Sequence, residues 1–160
     1  MPVRKLKEFL DTYHVKYVTI THSVAYTAQG IAALTHIPGK DLAKTVILKI
    51  DGEFAMAVVP ASVHVDLRAL KAASGAKEVL LATEHDFKSH FPDCETGAMP
   101  PFGNLYGMKV FVDDLLQHDE EIAFNAGSHR ELIRMAFADF ARLVNPAVMK
   151  CATKAAITAA

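Results

Sequence analysis

Asp51-Gly52 stands between two runs, 42–50 and 54–60, that are rich in β-branched and apolar side chains. An Asp-Gly pair accepts the positive φ angles of a type I′ turn, whose twist matches that of the strands it joins. The segment therefore predicts an antiparallel hairpin, and the rest of the chain has to be arranged around it. Lys44 lies in the first of the two runs, a lone cation at the mouth of the apolar stretch Ala43-Lys44-Thr45-Val46-Ile47-Leu48.

Upstream, Val3, Leu6, Phe9, Leu10 and Tyr13 recur at helical spacing with charged residues between them, so a first amphipathic helix is expected to end near His14. A short strand follows over 15–21, then a helix over 27–34 capped by Thr27 and closed by the Pro38-Gly39 turn. Downstream of the hairpin, 66–73 reads as a helix stopped at Ser74-Gly75, 77–82 as a strand, and 83–91 as a helix opened by Thr83. Two more strands are expected at 108–112 and 122–125.

Residues 132–137 stay open between a helix, for which Ser128 and Glu131 form a capping box, and a buried strand leading into a helix over 139–144. The tail after Pro146, with Ala152, Ala155, Ala156, Ala159 and Ala160, has little to bury and is expected to fray. This order of elements predicts an α+β fold: a single compact domain with a mixed, mainly antiparallel sheet flanked by helices. At 160 residues the chain is long enough for one substantial core, since domains of this size bury roughly 70% of their unfolded surface.

Composition removes several classes of function. A formal charge of −1 leaves no overall basic footprint, so duplex DNA is not an expected partner. No apolar run approaches the roughly 18 residues of a membrane span and no signal-like segment opens the chain, so a cytoplasmic protein without membrane contact is expected. Cys94 and Cys151 show no CxxC spacing and read as free thiols. His22, His36, His64 and His129 form neither HxH nor HExxH, and no nucleotide-binding glycine motif is present, so neither a metal nor a cofactor is expected.

What carries chemistry is Lys44 together with two loops, Gly97-Ala98-Met99-Pro100-Pro101-Phe102-Gly103 and Ala126-Gly127-Ser128-His129. A cation and fixed N–H donors, with no obvious nucleophile, suit a site that binds and polarises an acyl or phosphate group. Each feature also has a structural reading: a solvated lysine at a strand end, turn-forming Gly and Pro residues, a satisfied histidine.

In their order and spacing, Thr27-Ala28-Gln29, Pro38-Gly39, Ala43-Lys44-Thr45, the 97–103 loop, and Ala126-Gly127-Ser128-His129 followed by Asp139-Phe140 resemble the prolyl-tRNA synthetase editing-domain, or YbaK-like, family of aminoacyl-tRNA deacylases. The resemblance covers nearly the whole chain. It implies a free-standing domain that hydrolyses the ester between a wrong amino acid and the terminal ribose of a tRNA, working in trans, with a synthetase as a possible partner. In that family the lysine at the position of Lys44 is required for hydrolysis. Lys44, Gly97 and Gly127 would then polarise the ester and hold water and oxyanion, while His22, Thr45, Met99, Pro100, Phe102, Ser128 and His129 would line the substrate site. An aminoacyl ester is already activated, so placement and charge stabilisation can supply most of the catalysis. The rival readings are a non-catalytic module that holds aminoacylated tRNA ends or a protein partner, and an esterase for small aminoacyl compounds.

Overall fold

A computed structural model describes residues 3–154. Helix α1 (Arg4–Thr12) buries Leu6 and Leu10 and leaves its charged residues in solvent. Strand β1 (Tyr17–Thr21) follows, then α2 (Ala28–Thr35), whose N-cap Thr27 accepts the N–H of Gly30 at 2.9 Å. The hairpin strands are β2 (Leu42–Ile50) and β3 (Glu53–Pro60), with Asp51 and Gly52 at φ +51° and +85°. Beyond its turn role, the Asp51 carboxylate accepts the N–H groups of Lys77 and Glu78 at 3.0 and 2.9 Å, which anchors the chain entering β5.

After the short β4 (His64–Val65) come α3 (Leu67–Ser74), capped by Asp66 and ended by Gly75 at φ +73°, and β5 (Val79–Leu81). The helix expected over 83–91 is a single α turn, α4 (Glu84–Phe87), with a Thr83/Asp86 capping box, tightening into a 3-10 turn at Lys88–His90. Strands β6 (Lys109–Asp113), β7 (Glu121–Asn125) and β8 (Glu131–Ala136) then lead into α5 (Phe137–Val144). The alternative left open in the sequence resolves to the strand: Leu132 to Met135 pair with both β1 and β7, Glu131 and Ala136 with one of them each, and α5 begins two residues earlier than its polar pattern indicates.

The tail corrects an expectation. Instead of fraying, β9 (Ala147–Met149) adds in parallel to β6, and β10 (Ala152–Thr153) pairs with β4. The reason is a polar anchor: Asp113, 1% exposed, accepts the N–H of Cys151 at 2.9 Å and that of Leu115 at 3.1 Å. Ala155, Ala156, Ala159 and Ala160 lie outside the described residues.

The main sheet has the order β1-β8-β7-β2-β3-β6-β9, with β5 also on β2. The β1/β8, β8/β7, β2/β3 and β2/β5 pairs are antiparallel, and the β7/β2, β3/β6 and β6/β9 pairs are parallel. Along β2 the side chains alternate. Ala43 and Ile47 join the largest core cluster with α1, α5, Met99 and Phe102. Leu42 joins α2 and Ala123 on the other face, where Leu48 packs with Leu70 of α3. Among the described residues no helix is long and apolar enough to cross a membrane.

Asp113→Ala orphans two buried or half-buried N–H groups and is expected to lower stability by about 2–4 kcal/mol in urea unfolding, at about 1–3 kcal/mol per lost partner. Asp113→Asn, which keeps an acceptor oxygen, should lose less.

Candidate active site

The site begins with a discontinuity in the sheet. On one edge of β2, Leu42 and Ala43 pair with Ala123 and Phe124 of β7, while Leu48 to Ile50 pair with β5, and Ile47 accepts from Ala82. Residues 44–46 have no strand beside them on that edge among the described residues. One residue beyond the last parallel pair stand Lys44 on β2 and Asn125 on β7, and the side-chain alternation of the two strands places both on the face covered by α2. β7 then runs directly into Ala126-Gly127-Ser128-His129.

Lys44 is half-buried, with the fully buried Val59 as its cross-strand partner. Burial pushes its ammonium below the ordinary lysine range. Among the described residues no carboxylate pairs with it. Asn125 adds a buried, unpartnered Oδ1 on the same face. Asn125 was missed in the sequence, where it is only the last residue of a strand; a polar side chain ending an apolar run and opening a glycine loop was the available signal.

The two loops are stitched to each other. Gly127 donates its N–H to Ala98 at 2.9 Å and accepts from Glu95 N–H at 2.8 Å, and the Glu95 carboxylate accepts the His129 N–H at 3.0 Å. The Gly127 N–H is therefore committed within the protein. Ser128 supplies the N–H in this loop that has no partner among the described residues. Gly127 is glycine for two reasons: its φ is +99°, and a Cβ there would collide with Val3, whose own N–H bonds Ala126. Gly97 has φ +86°, and a Cβ there would lie 3.5 Å from Cε1 of the His129 ring.

His129 is 7% exposed, and its Nε2 lies 2.8 Å from the Thr96 carbonyl. That contact makes Nε2 the protonated nitrogen and leaves Nδ1 a buried acceptor with no partner. Tyr26 covers the ring, with centroids 4.9 Å apart. His22 makes the complementary arrangement at the end of β1: Nδ1 donates to the Ser23 carbonyl at 2.6 Å, and Nε2 is buried without a partner among the described residues. Ser128 Oγ accepts from the Arg130 N–H and, among the described residues, forms no pair with a base.

Other candidates fall away from Lys44. Thr45, as its strand neighbour, points to the opposite face. Phe102 is fully buried, with its ring against Phe9, Phe124 and Phe140, and Met99 and Pro100 are buried beside it. These residues support the loop from behind, because an apolar side chain gains more from the core than from a wet pocket. Two open clefts, of about 750 and 360 Å³, lie elsewhere and are lined by neither Lys44, Gly97 nor Gly127. No thiol can act as a nucleophile near neutral pH: burial pushes Cys94 up to about 11 and Cys151 up to about 12. Among the described residues no group of three His, Cys, Asp or Glu side chains is placed to hold a metal.

A half-buried ammonium at the fork between β7 and β5, on the strand next to the one that runs into the 126–129 loop and without an activated thiol, is chemically suited to meet an acyl or phosphoryl oxygen. Residues 22–143 match the aminoacyl-tRNA editing domain, and the chain belongs to that family. It is 25% identical over 148 residues to the multifunctional Ser/Thr-tRNA deacylase ProXp-y of Escherichia coli, covering 89% of this chain and 88% of that protein. It is also 32% identical over 91 residues to the proline–tRNA ligase of Staphylococcus epidermidis, covering 57% of this chain and 16% of the ligase. Its fold is shared with a solved structure assigned as a trans-editing enzyme for prolyl-tRNA synthetase, at a TM-score of 0.80 and 19% identity over 94% of this chain and 96% of that one. The solved structure of APE2540 superposes at a TM-score of 0.85 with 17% identity, over 94% of this chain and all of that one.

Gly127→Ala combines a left-handed backbone with a collision on Val3, and Gly97→Ala meets only an ordinary contact. Denaturant unfolding should therefore give a loss of about 2–4 kcal/mol for Gly127→Ala and about 1 kcal/mol for Gly97→Ala.

Proposed function

We propose that this chain is a trans-acting hydrolase that deacylates mischarged aminoacyl-tRNA in the cytoplasm, with water as the attacking group and no covalent intermediate. The observation that carries the reading is Lys44: half-buried, without an acid partner among the described residues, and set one residue past the β2/β7 pairing where the glycine loop starts. A cation held this way has lost part of its hydration and regains it from an anionic or strongly dipolar ligand. Its place is against the oxygen that becomes negative when water adds to the ester carbonyl, or against the neighbouring phosphate. The unpartnered Ser128 N–H is a second donor to the same charge. Collapse of the adduct breaks the bond to the ribose oxygen, which takes the proton that the water gives up.

The relatives support a tRNA substrate. ProXp-y carries serine and threonine in its name, and the editing-domain family acts on aminoacyl-tRNA. For this chain the unpartnered Nδ1 of His129 and the unpartnered Nε2 of His22 are acceptors suited to an amino acid's ammonium or hydroxyl. A site that hydrogen-bonds such a group rejects analogues lacking it far more sharply than one that sorts by methylene count. His129 is therefore a selecting residue. A binding module that holds charged tRNA without cutting it is favoured by one observation, the commitment of the Gly127 N–H within the protein.

Alanyl-, cysteinyl-, seryl-, threonyl- and prolyl-tRNA incubated with the pure protein should show release above the uncatalysed rate for at least one. Lys44→Ala should lower kcat/KM for that substrate about 10²–10³-fold, the range for losing one charge-stabilising donor, while thermal unfolding stays cooperative. Tight binding of all five without release would identify the binding module instead.

The lowered lysine pKa also fixes a pH dependence. After subtraction of the uncatalysed rate, activity that needs the ammonium should decline as pH rises, starting below the ordinary lysine value of about 10.4. Lys44→Arg keeps its charge through that range, so whatever activity it retains should lack this alkaline decline in a pH–rate profile.

A further inference from the structure

Tyr26 is 77% exposed, the most exposed large apolar side chain among the described residues. A single exposed tyrosine is ordinary. Its setting is not, because the backbone on both sides of it is tied by hydrogen bonds. The N–H of Ala25 donates to His129 at 3.2 Å, the N–H of His22 donates to Arg130 at 2.8 Å, and Thr27 caps α2. The ring lies at 59° over the buried imidazole of His129, with one side supported and the remainder in water. No hydrogen bond to its hydroxyl is made among the described residues, so the hydroxyl does not explain its position.

We propose that Tyr26 is the platform on which the terminal base of the substrate nucleic acid stacks. The proposal rests on the deacylase reading above and adds a binding subsite to it. An amino acid esterified to a terminal ribose brings that nucleotide's own adenine within one sugar of the reacting carbonyl. With the amino acid directed at Lys44 and His129, the adenine is the first aromatic surface outside the pocket, and Tyr26 is the exposed ring in contact with His129. A base on Tyr26 would cover apolar ring surface that is now wet and fix the ribose oxygen relative to the ester. Base–aromatic stacking needs a π-face and no particular hydrogen bond, so phenylalanine should serve at this position.

The test compares wild type, Tyr26→Ala and Tyr26→Phe on three substrates carrying the same amino acid: the aminoacyl-tRNA, the 3′-O-aminoacyl-adenosine and the aminoacyl ethyl ester. Tyr26→Ala should lower the ratio of kcat/KM for the adenosine ester to that for the ethyl ester by about 5–150-fold, the range stacking gives on alanine substitution, and Tyr26→Phe should preserve it. An equal loss on all three substrates would mean that Tyr26 merely holds His129, and no loss on any would mean that the ring is idle; either overturns the proposal. A second measurement needs no hydrolysis: Kd by fluorescence anisotropy for an unacylated acceptor minihelix ending in adenosine against one ending in an abasic ribose. Wild type should prefer adenosine at least about 5-fold and Tyr26→Ala should lose the preference. If no substrate is cleaved, the deacylase reading fails while this measurement still decides the subsite, and absence of any preference in wild type overturns it.

Discussion

The change of partner along one edge of β2 is the constraint from which the site follows. A strand needs its backbone groups satisfied on both sides, and β2 meets that need with β7 at its start and β5 at its end. Those two strands arrive from opposite directions, parallel and antiparallel, and cannot be continuous with each other. The gap between them is the place where a lysine in an apolar strand is neither buried outright nor free in solvent. Moving the charge back two residues would set it at Leu42, which is buried in the apolar cluster with α2, and an unpaired charge there is costly.

The loops that border the gap are themselves held by main-chain bonds, with the 95–98 segment and Gly127 exchanging two of them and the Glu95 carboxylate adding a third to His129. Phe102, Phe124 and Phe140 pack behind them in edge and tilted contacts. Such a site is rigid at its floor, which suits catalysis by placement, since little reorganisation is left to do when charge develops.

Much of this was legible in the sequence because the signals were local. The Asp51-Gly52 turn, the Thr27 cap, the Thr83 helix start and the Gly75 stop each declare themselves within four residues, and the structure puts them where the sequence does. The tail was misread because its order comes from Asp113, 38 residues before the amide of Cys151 that it holds, and no periodicity reports a bond of that span. Phe102 and Met99 were read as pocket walls for a related reason: an apolar residue in a glycine-proline loop looks alike from either side of the chain, and only the packing decides that it faces the core. Asn125 and Tyr26 carried no motif at all, since an orphaned carbonyl oxygen and a wet aromatic ring are properties of surroundings.

The seating of Val3 against Ala126 and Gly127 links the very start of the described chain to a loop more than a hundred residues later. Together with Ala43 beside Phe124, it means that the neighbourhood of Lys44 cannot assemble progressively from one end. A nascent polypeptide would display its lysine and hairpin well before the 126–129 loop that follows β7 had been made. Closure over such long separations is entropically costly and slow to find. The surroundings of Lys44 and the completed fold thus arrive together.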